Sequence, residues 1–393
     1  MRIEDCLADF QIPRFLHYMD SAATSLIPEP VIASMNEYDR QYRASVGRGM
    51  HRLARVATQR YQDAHDRVSS FIGGKEGTTV FTKNTTEAIN MVAAGLDWHP
   101  GDRVVTTGAE HHSNLLPWLR LRQQGIKVGI IQPGEAGVFG LEAFKEAITE
   151  STKLVAVSHA SNVLGTMQPV REIAEICKAR GAYLLVDGAQ SVPHFPVDVR
   201  RMGCDFFCFS GHKMLGPTGT GVLWMRDEVI SPLILGGGTV EDVTTGGYTL
   251  TDGYRRFEGG TPNISGAIGL AQAVKYLENL EMDAVFRHEQ KLTDRLLSGL
   301  TGIENVTVYG PENLKNRIGV VSFTIDGIHP HEIAYLLDER AAILVRSGDH
   351  CCIPLMRYLG LENGTVRASL YLYNNLEEID LLIETVEEIA RMV

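Results

Sequence analysis

Short apolar runs recurring between helical stretches constrain this chain more than any other feature. They are Thr79-Val-Phe-Thr82, Arg103-Val-Val-Thr106, Lys127-Val-Gly-Ile-Ile131, Lys153-Leu-Val-Ala-Val157, Ala182-Tyr-Leu-Leu-Val186, Asp205-Phe-Phe-Cys208 and Gly221-Val-Leu-Trp-Met225. Their apolar residues are consecutive rather than alternating, which suits strands buried on both faces, as in a mainly parallel sheet covered by helices. Segments of 3.6-residue periodicity separate several of them, among them 170–180, where Gly181 supplies the C-terminal stop. The pattern predicts an α/β fold built on a seven-stranded, mainly parallel sheet.

At 393 residues the chain exceeds what one hydrophobic core usually reaches, so two domains are expected. Composition changes after the seventh run. Leu235-Gly-Gly-Gly238 opens a Gly/Thr-rich stretch in which Thr244-Thr-Gly-Gly-Tyr248 reads as a hairpin turn. Beyond Arg256-Phe-Glu-Gly-Gly-Thr-Pro-Asn263 the pattern predicts helices over 264–280, 282–300 and 376–392, with strands near 318–325 and 342–346. The expected division is a large cofactor-binding domain of residues 16–263 and a smaller α+β domain of residues 1–15 and 264–393.

A net charge of −11, from 37 basic and 48 acidic residues, leaves no broad electrostatic footprint for nucleic acid. No apolar run approaches the roughly 20 residues that span a bilayer. The segment Met1-Arg-Ile-Glu-Asp-Cys6 lacks the apolar stretch of a secretory leader, so a cytoplasmic location is expected. Six cysteines, at 6, 177, 204, 208, 351 and 352, are too few and too irregular for a disulfide framework, and no metal-ligand spacing is present. Cys204 and Cys208 read as buried residues sharing one face of a strand.

In open α/β sheets ligands bind beyond the carboxyl ends of the strands, and polar clusters follow five of the seven runs. They are Asn84-Thr-Thr86, Glu110-His-His112, Ser161-Asn162, Val186-Asp-Gly-Ala-Gln190 and Phe209-Ser-Gly-His-Lys213. Asp187 and Lys213 would then stand at neighbouring strand ends, as a pyridoxal phosphate (PLP) site requires. An amine condenses with the aldehyde, while a carboxylate keeps the ring nitrogen protonated. Thr85 and Thr86, at the start of an apolar helix, could hold a phosphate or merely cap the helix. His111 could stack on the ring or move a proton, and Asn162 and Gln190 could tune its phenolic oxygen. A second centre lies at Val345-Arg-Ser-Gly-Asp-His-Cys-Cys352, with Arg367-Ala-Ser369 downstream. A cysteine there, beside His350 and near an arginine, is a candidate thiolate. A metal-binding fragment, a strained vicinal disulfide or plain loop residues are the alternatives.

From Tyr18-Met-Asp-Ser-Ala-Ala-Thr24 to the last helix the chain resembles the class V aminotransferase group of fold-type I PLP enzymes. Within that group it is similar to the SUF-type (group II) cysteine desulfurase and selenocysteine lyase family. The motifs that carry this are Ser210-Gly-His-Lys213, Asp187-Gly-Ala-Gln190, Phe257-Glu-Gly-Gly-Thr-Pro-Asn263 and Arg346-Ser-Gly-Asp-His-Cys351. The resemblance implies Lys213 as the Schiff-base lysine, Asp187 on the pyridinium, His111 over the ring and Gln190 at the phenolic oxygen. It implies Thr86, Ser210 and His212 on the phosphate, joined by Thr261 from the neighbouring subunit of a homodimer. Asn162 and Arg367 would receive the substrate carboxylate, Arg367 bidentately, while Arg346 and His51 would line the substrate side. Cys351 would take sulfur from L-cysteine, or selenium from L-selenocysteine, and pass it to an acceptor protein for iron–sulfur cluster assembly. The family loop usually reads Gly-His-His-Cys-Ala, and here Asp349 and Cys352 replace its first His and its Ala. Asn84 stands where Gly is usual. Other class V lyase or aminotransferase activities, and a non-enzymatic sulfur-relay scaffold, are the competing readings.

Overall fold

The computed structural model describes residues 2–13, 15–134 and 137–393. Met1, the head of the segment scanned for a leader, and Arg14, beside the 15/16 division, lie outside the described residues. All seven apolar runs form one sheet, in the spatial order Thr78–Thr82, Gly221–Met225, Phe206–Ser210, Tyr183–Asp187, Thr152–Ser158, Arg103–Thr107 and Lys127–Ile131. Gly221–Met225 runs antiparallel to both neighbours, and the remaining pairings are parallel.

The unbroken apolar runs have a direct cause. Side chains alternate across a strand, and here both faces are covered. Phe207 and Phe209 join one buried cluster with Val186 and Leu277, whereas Phe206 and Cys208 join another with Val80, Ile89 and Trp118. Phe206, Phe207 and Phe209 are all fully buried, and cutting any of them to Ala would cost about 3–5 kcal/mol. The expectation for Cys204 is corrected here. Cys204 precedes the strand, which starts at Phe206, so alternation does not extend back to it. It packs with Phe207, opposite to Cys208.

A second, antiparallel sheet of four strands has the order Val306–Tyr309, Val320–Ile325, Thr365–Ser369 and Arg346–Gly348. Helices Met282–Leu300, Pro330–Ala341 and Leu376–Ala390 cover it through Leu296, Ile333 and Leu382, which cluster with Phe323. The strand expected over 342–346 is split. Ile343–Leu344 pairs in parallel with His17–Tyr18, and only Arg346–Gly348 joins the four-stranded sheet. This brings the Tyr18–Thr24 segment against Thr365–Ser369, where Asp20 bridges Ser369. The expected hairpin forms from Val240–Thr244 and Gly247–Leu250, with Val243 and Tyr248 exposed.

Candidate active site

Three strands end at one rim on polar residues: Ser158, Asp187 and Ser210. Register does the rest, since Ser158 pairs directly with Asp187. Beyond Ser210 the chain turns through a short 3-10 segment, Gly211–Lys213, which returns Lys213 over the strand ends. Helix Thr85–Gly95 starts at the same rim, and Asn84 Oδ1 caps it by accepting from Glu87 N at 3.0 Å. That cap accounts for Asn84 standing where Gly is usual, because its φ of −176° asks nothing special of the residue.

A cavity of about 280 Å³ opens here, lined by Thr85, Thr86, His111, Asn162, Asp187, Gln190, Ser210, His212, Lys213, Arg346 and Arg367. Asp187 is buried, and its Oδ1 accepts from Ala189 N at 2.9 Å. Burial raises its pKa, opposed by that hydrogen bond and by Lys213. Burial likewise lowers the pKa of the Lys213 amine, Asp187 works against the shift, and Arg367 and Arg346 add to it. A half-buried amine pushed toward neutrality beside a buried acid is the pair that a pyridine aldehyde needs.

His111 is neutral, with burial and then Lys213 lowering its pKa to about 3. Its Nδ1 accepts from Ser113 N at 3.1 Å, so the ring proton sits on Nε2. Its chain neighbour Glu110 accepts from Thr107 Oγ1 at 2.7 Å and Asn114 Nδ2 at 2.6 Å, and burial raises its pKa to about 7. His212 is also held neutral, its pKa lowered to about 4 by burial and Lys213.

On the phosphate side Thr85 spends both its amide and its hydroxyl on Ser210 Oγ, at 2.9 and 2.8 Å. Thr85 and Ser210 are thereby tied together at the start of the helix. Thr86 shares a hydrogen bond with Ser113 at 2.7 Å and stays exposed. Gln190 gives Nε2 to Ala22 O at 2.8 Å, leaving its buried Oε1 without a protein partner.

The substrate side is set by the smaller sheet, where Arg346 and Arg367 pair directly across adjacent strands. Arg367 is buried and gives Nη1 to Asn162 O at 3.0 Å and Nη2 to Asp20 Oδ1 at 2.7 Å, while its Nε has no partner. Most of the guanidinium is thus already engaged, and a carboxylate would have to share it with Asp20. Asp20, with no role assigned from sequence, lies in the Tyr18–Thr24 motif, and only the fold brings it to Arg367. Asn162 is also committed elsewhere, giving Nδ2 to His350 O at 2.8 Å and accepting from Cys352 Sγ at 3.4 Å.

Three expected residues, His51, Thr261 and Cys351, do not line this cavity in the single chain. His51 caps helix Arg52–Phe71, with Nδ1 accepting from Ala54 N at 3.4 Å. Thr261 lines a separate cavity of about 500 Å³ with Arg48, Tyr254 and Glu258.

The two cysteines are not equivalent. Cys352 is fully buried, its Sγ against Glu110 O at 3.4 Å, and burial raises its pKa far above the ordinary thiol value. Cys351 is half-buried, with Arg346 Nη2 at 3.6 Å from Sγ, and it stands within electrostatic reach of Lys213. His350 and Cys351 both adopt left-handed backbone, φ 50° and 59°, a conformation costing roughly 1–2 kcal/mol per non-glycine residue. Contacts from distant segments hold it. Cys351 O accepts from His112 N at 2.8 Å, Ile353 N donates to His112 Nε2 at 3.1 Å, and His350 Nε2 meets Thr365 Oγ1 at 2.9 Å. No group of ligands suited to a metal ion occurs among the described residues.

A buried acid with a half-buried amine, a hydroxyl cluster at a helix N-terminus and an orphaned Gln190 oxygen fit pyridoxal phosphate. The aminotransferase class-V family pattern matches residues 17–382. The chain belongs to that family. Its relatives there are cysteine desulfurases. A probable cysteine desulfurase from Methanothermobacter thermautotrophicus is 47% identical over 399 residues, covering 100% of this chain and 99% of that one. The apo structure of a cysteine desulfurase from Thermococcus onnurineus matches with TM-score 0.97 at 47% identity, covering 100% and 99% of the two chains. The cysteine desulfurase CsdA from Escherichia coli, in an S-sulfonic acid form, matches with TM-score 0.92 at 32% identity, covering 100% and 99%.

Proposed function

We propose that this protein is a PLP-dependent cysteine desulfurase of the SUF type, converting L-cysteine to L-alanine and leaving the sulfur as a persulfide on Cys351. The observation that carries the reading is the half-buried Cys351 thiol beside Arg346, within electrostatic reach of Lys213.

Bound PLP supplies the electron sink that lets the substrate Cα–H and then its Cβ–S bond break. Lys213, its charge disfavoured by burial, holds the cofactor and afterwards carries the α-proton. Asp187 keeps the ring nitrogen positive. His111, its proton fixed on Nε2, would help hold the cofactor ring and is set to donate rather than accept. Arg367, through its unpartnered Nε, and the remaining N–H of Asn162 receive the substrate carboxylate. The Cys351 sulfur then forms an S–S bond to the substrate sulfur as the C–S bond breaks, and the freed carbon takes a proton to give alanine. Atoms balance: cysteine and an enzyme thiol become alanine and an enzyme persulfide.

The assay is alanine release from L-cysteine by the PLP-loaded protein, with the Cys351→Ala variant alongside. Alanine from the parent and none from the variant supports the reading. Equal release from both would turn it toward a lyase that frees the sulfur without the thiol.

The same proposal extends to a homodimer. Leu233, Ile234, Leu235, Met50 and the hairpin residues Val243 and Tyr248 are exposed apolar surface that a second copy would cover, and Thr261 would serve the partner's phosphate site. A monomer with full activity would end it. The persulfide would pass to an acceptor protein for iron–sulfur cluster assembly in the cytoplasm. Among the described residues no helix is long and apolar enough to cross a membrane.

A further inference from the structure

Asp349 replaces a histidine usual in the resembling loop, and a carboxylate two residues before a nucleophilic thiol works against the thiolate. The coordinates give it a different task. Its Oδ1 accepts the backbone N–H of Cys351 at 2.9 Å, and its carbonyl accepts Cys352 N at 2.9 Å. The two bonds close a tight turn around His350 and Cys351, at φ 50° and 59°, directly after Gly348 at φ 110°. Short polar side chains that bond the backbone two residues on are a recurrent means of holding such turns. The remaining holds act on the carbonyls of His350 and Cys351, through Asn162 Nδ2 and His112 N, and on the His350 ring through Thr365. Among the described residues only Asp349 holds the Cys351 amide, which with the held carbonyl fixes the direction of the Cα–Cβ bond.

We propose that Asp349 is a positioning residue: its side-chain oxygen fixes the left-handed turn that sets the direction of Cys351 Sγ, one residue from the cavity-lining His350, and Arg346, 3.6 Å from that sulfur, offsets the negative charge this places nearby. The inference rests on the functional reading above for its kinetic consequence, but not for its geometry. It separates the two things Asp349 brings, an acceptor and a charge.

Asp349→Asn keeps the acceptor and removes the charge, Asp349→Ala removes both, and Asp349→Ser keeps a shorter acceptor. With L-cysteine and PLP-loaded protein, kcat is expected to fall about 10- to 100-fold in the Ala variant, the scale of loss from misplacing a reacting atom by about 1 Å. It should fall less in Ser and least in Asn. KM should move little, since Arg367 stays in place. Iodoacetamide should alkylate Cys351 at least as fast in all three variants as in the parent, because the charge is gone. Amide hydrogen exchange in the peptide spanning 346–352 should rise in Ala and stay near the parent in Asn. Equal kcat losses in Asn and Ala, or unchanged exchange in Ala, would overturn the proposal. If the parent itself makes no alanine, the functional reading fails, and the exchange comparison alone decides whether Asp349 holds the turn.

Discussion

The cofactor-side wall and the cysteine loop face the same cavity but are built on opposite principles. Asp187, Ser210 and Lys213 stand on or just beyond the ends of buried strands, in unstrained backbone set by strand register. Cys351 sits in left-handed backbone, and its loop is held by His112, Asn162 and Thr365 from distant parts of the chain. The difference matches the tasks. A cofactor stays put and tolerates a rigid wall, whereas a sulfur acceptor must be aimed, loaded and unloaded.

The sharpest break is Lys213→Ala. It should lose the visible absorbance of the lysine-linked cofactor and reduce alanine release roughly 10³-fold or more. The loop should nonetheless remain folded, and Cys351 should stay open to iodoacetamide. Absorbance surviving unchanged would remove Lys213 from its role and with it the rigid wall of the comparison.

Arg367→Lys tests the joint between the regions. Lys cannot serve Asp20, Asn162 O and a carboxylate together, so KM for L-cysteine should rise about tenfold or more, with a smaller change in kcat. A KM within twofold of the parent would mean that the carboxylate docks elsewhere.

The buried Glu110, before His111 in the chain, offers a pH test. Its folded pKa of about 7 exceeds the model-peptide value of 4.5, so the folded state binds the extra proton. The resulting stabilisation is complete below about pH 4.5, is lost as pH rises to about 7, and amounts to about 3 kcal/mol. Urea unfolding of Glu110→Gln should therefore lose less stability than the parent between pH 5 and pH 8. Identical slopes for the two proteins would contradict the assignment.

The smallest effect is expected from Cys352→Ala, which trims a fully buried thiol from the core side of the loop. Stability should fall by about 1 kcal/mol, with most desulfurase turnover retained. A loss as large as that of Cys351→Ala would make the two cysteines partners.

How much of this was legible in the sequence follows the same division. The seven runs, helices 264–280 and 282–300, and the strand-end residues Asp187 and Lys213 could be read because local pattern decides them. Strands Val306–Tyr309 and Thr365–Ser369 could not, since short half-buried or mixed sequences gain strand identity only from their neighbours. The cross-strand pairing of Arg346 with Arg367, and the contact of Asp20 with Arg367, depend on registers between segments far apart in the chain. The motif around Tyr18–Thr24 was visible, but nothing local said what it touches. Similarly, Asn162 reads as a ligand group from its place after a strand, yet its amide secures the cysteine loop.

The account stands on one claim, that Cys351 and not Cys352 receives the sulfur. The direct measurement is fragmentation mass spectrometry of the peptide carrying both cysteines, after brief reaction of PLP-loaded protein with L-cysteine and trapping of the persulfide. The extra sulfur should lie on Cys351 in the parent and in Cys352→Ala, and be absent from Cys351→Ala. A persulfide on Cys352, with alanine still released by Cys351→Ala, would contradict it.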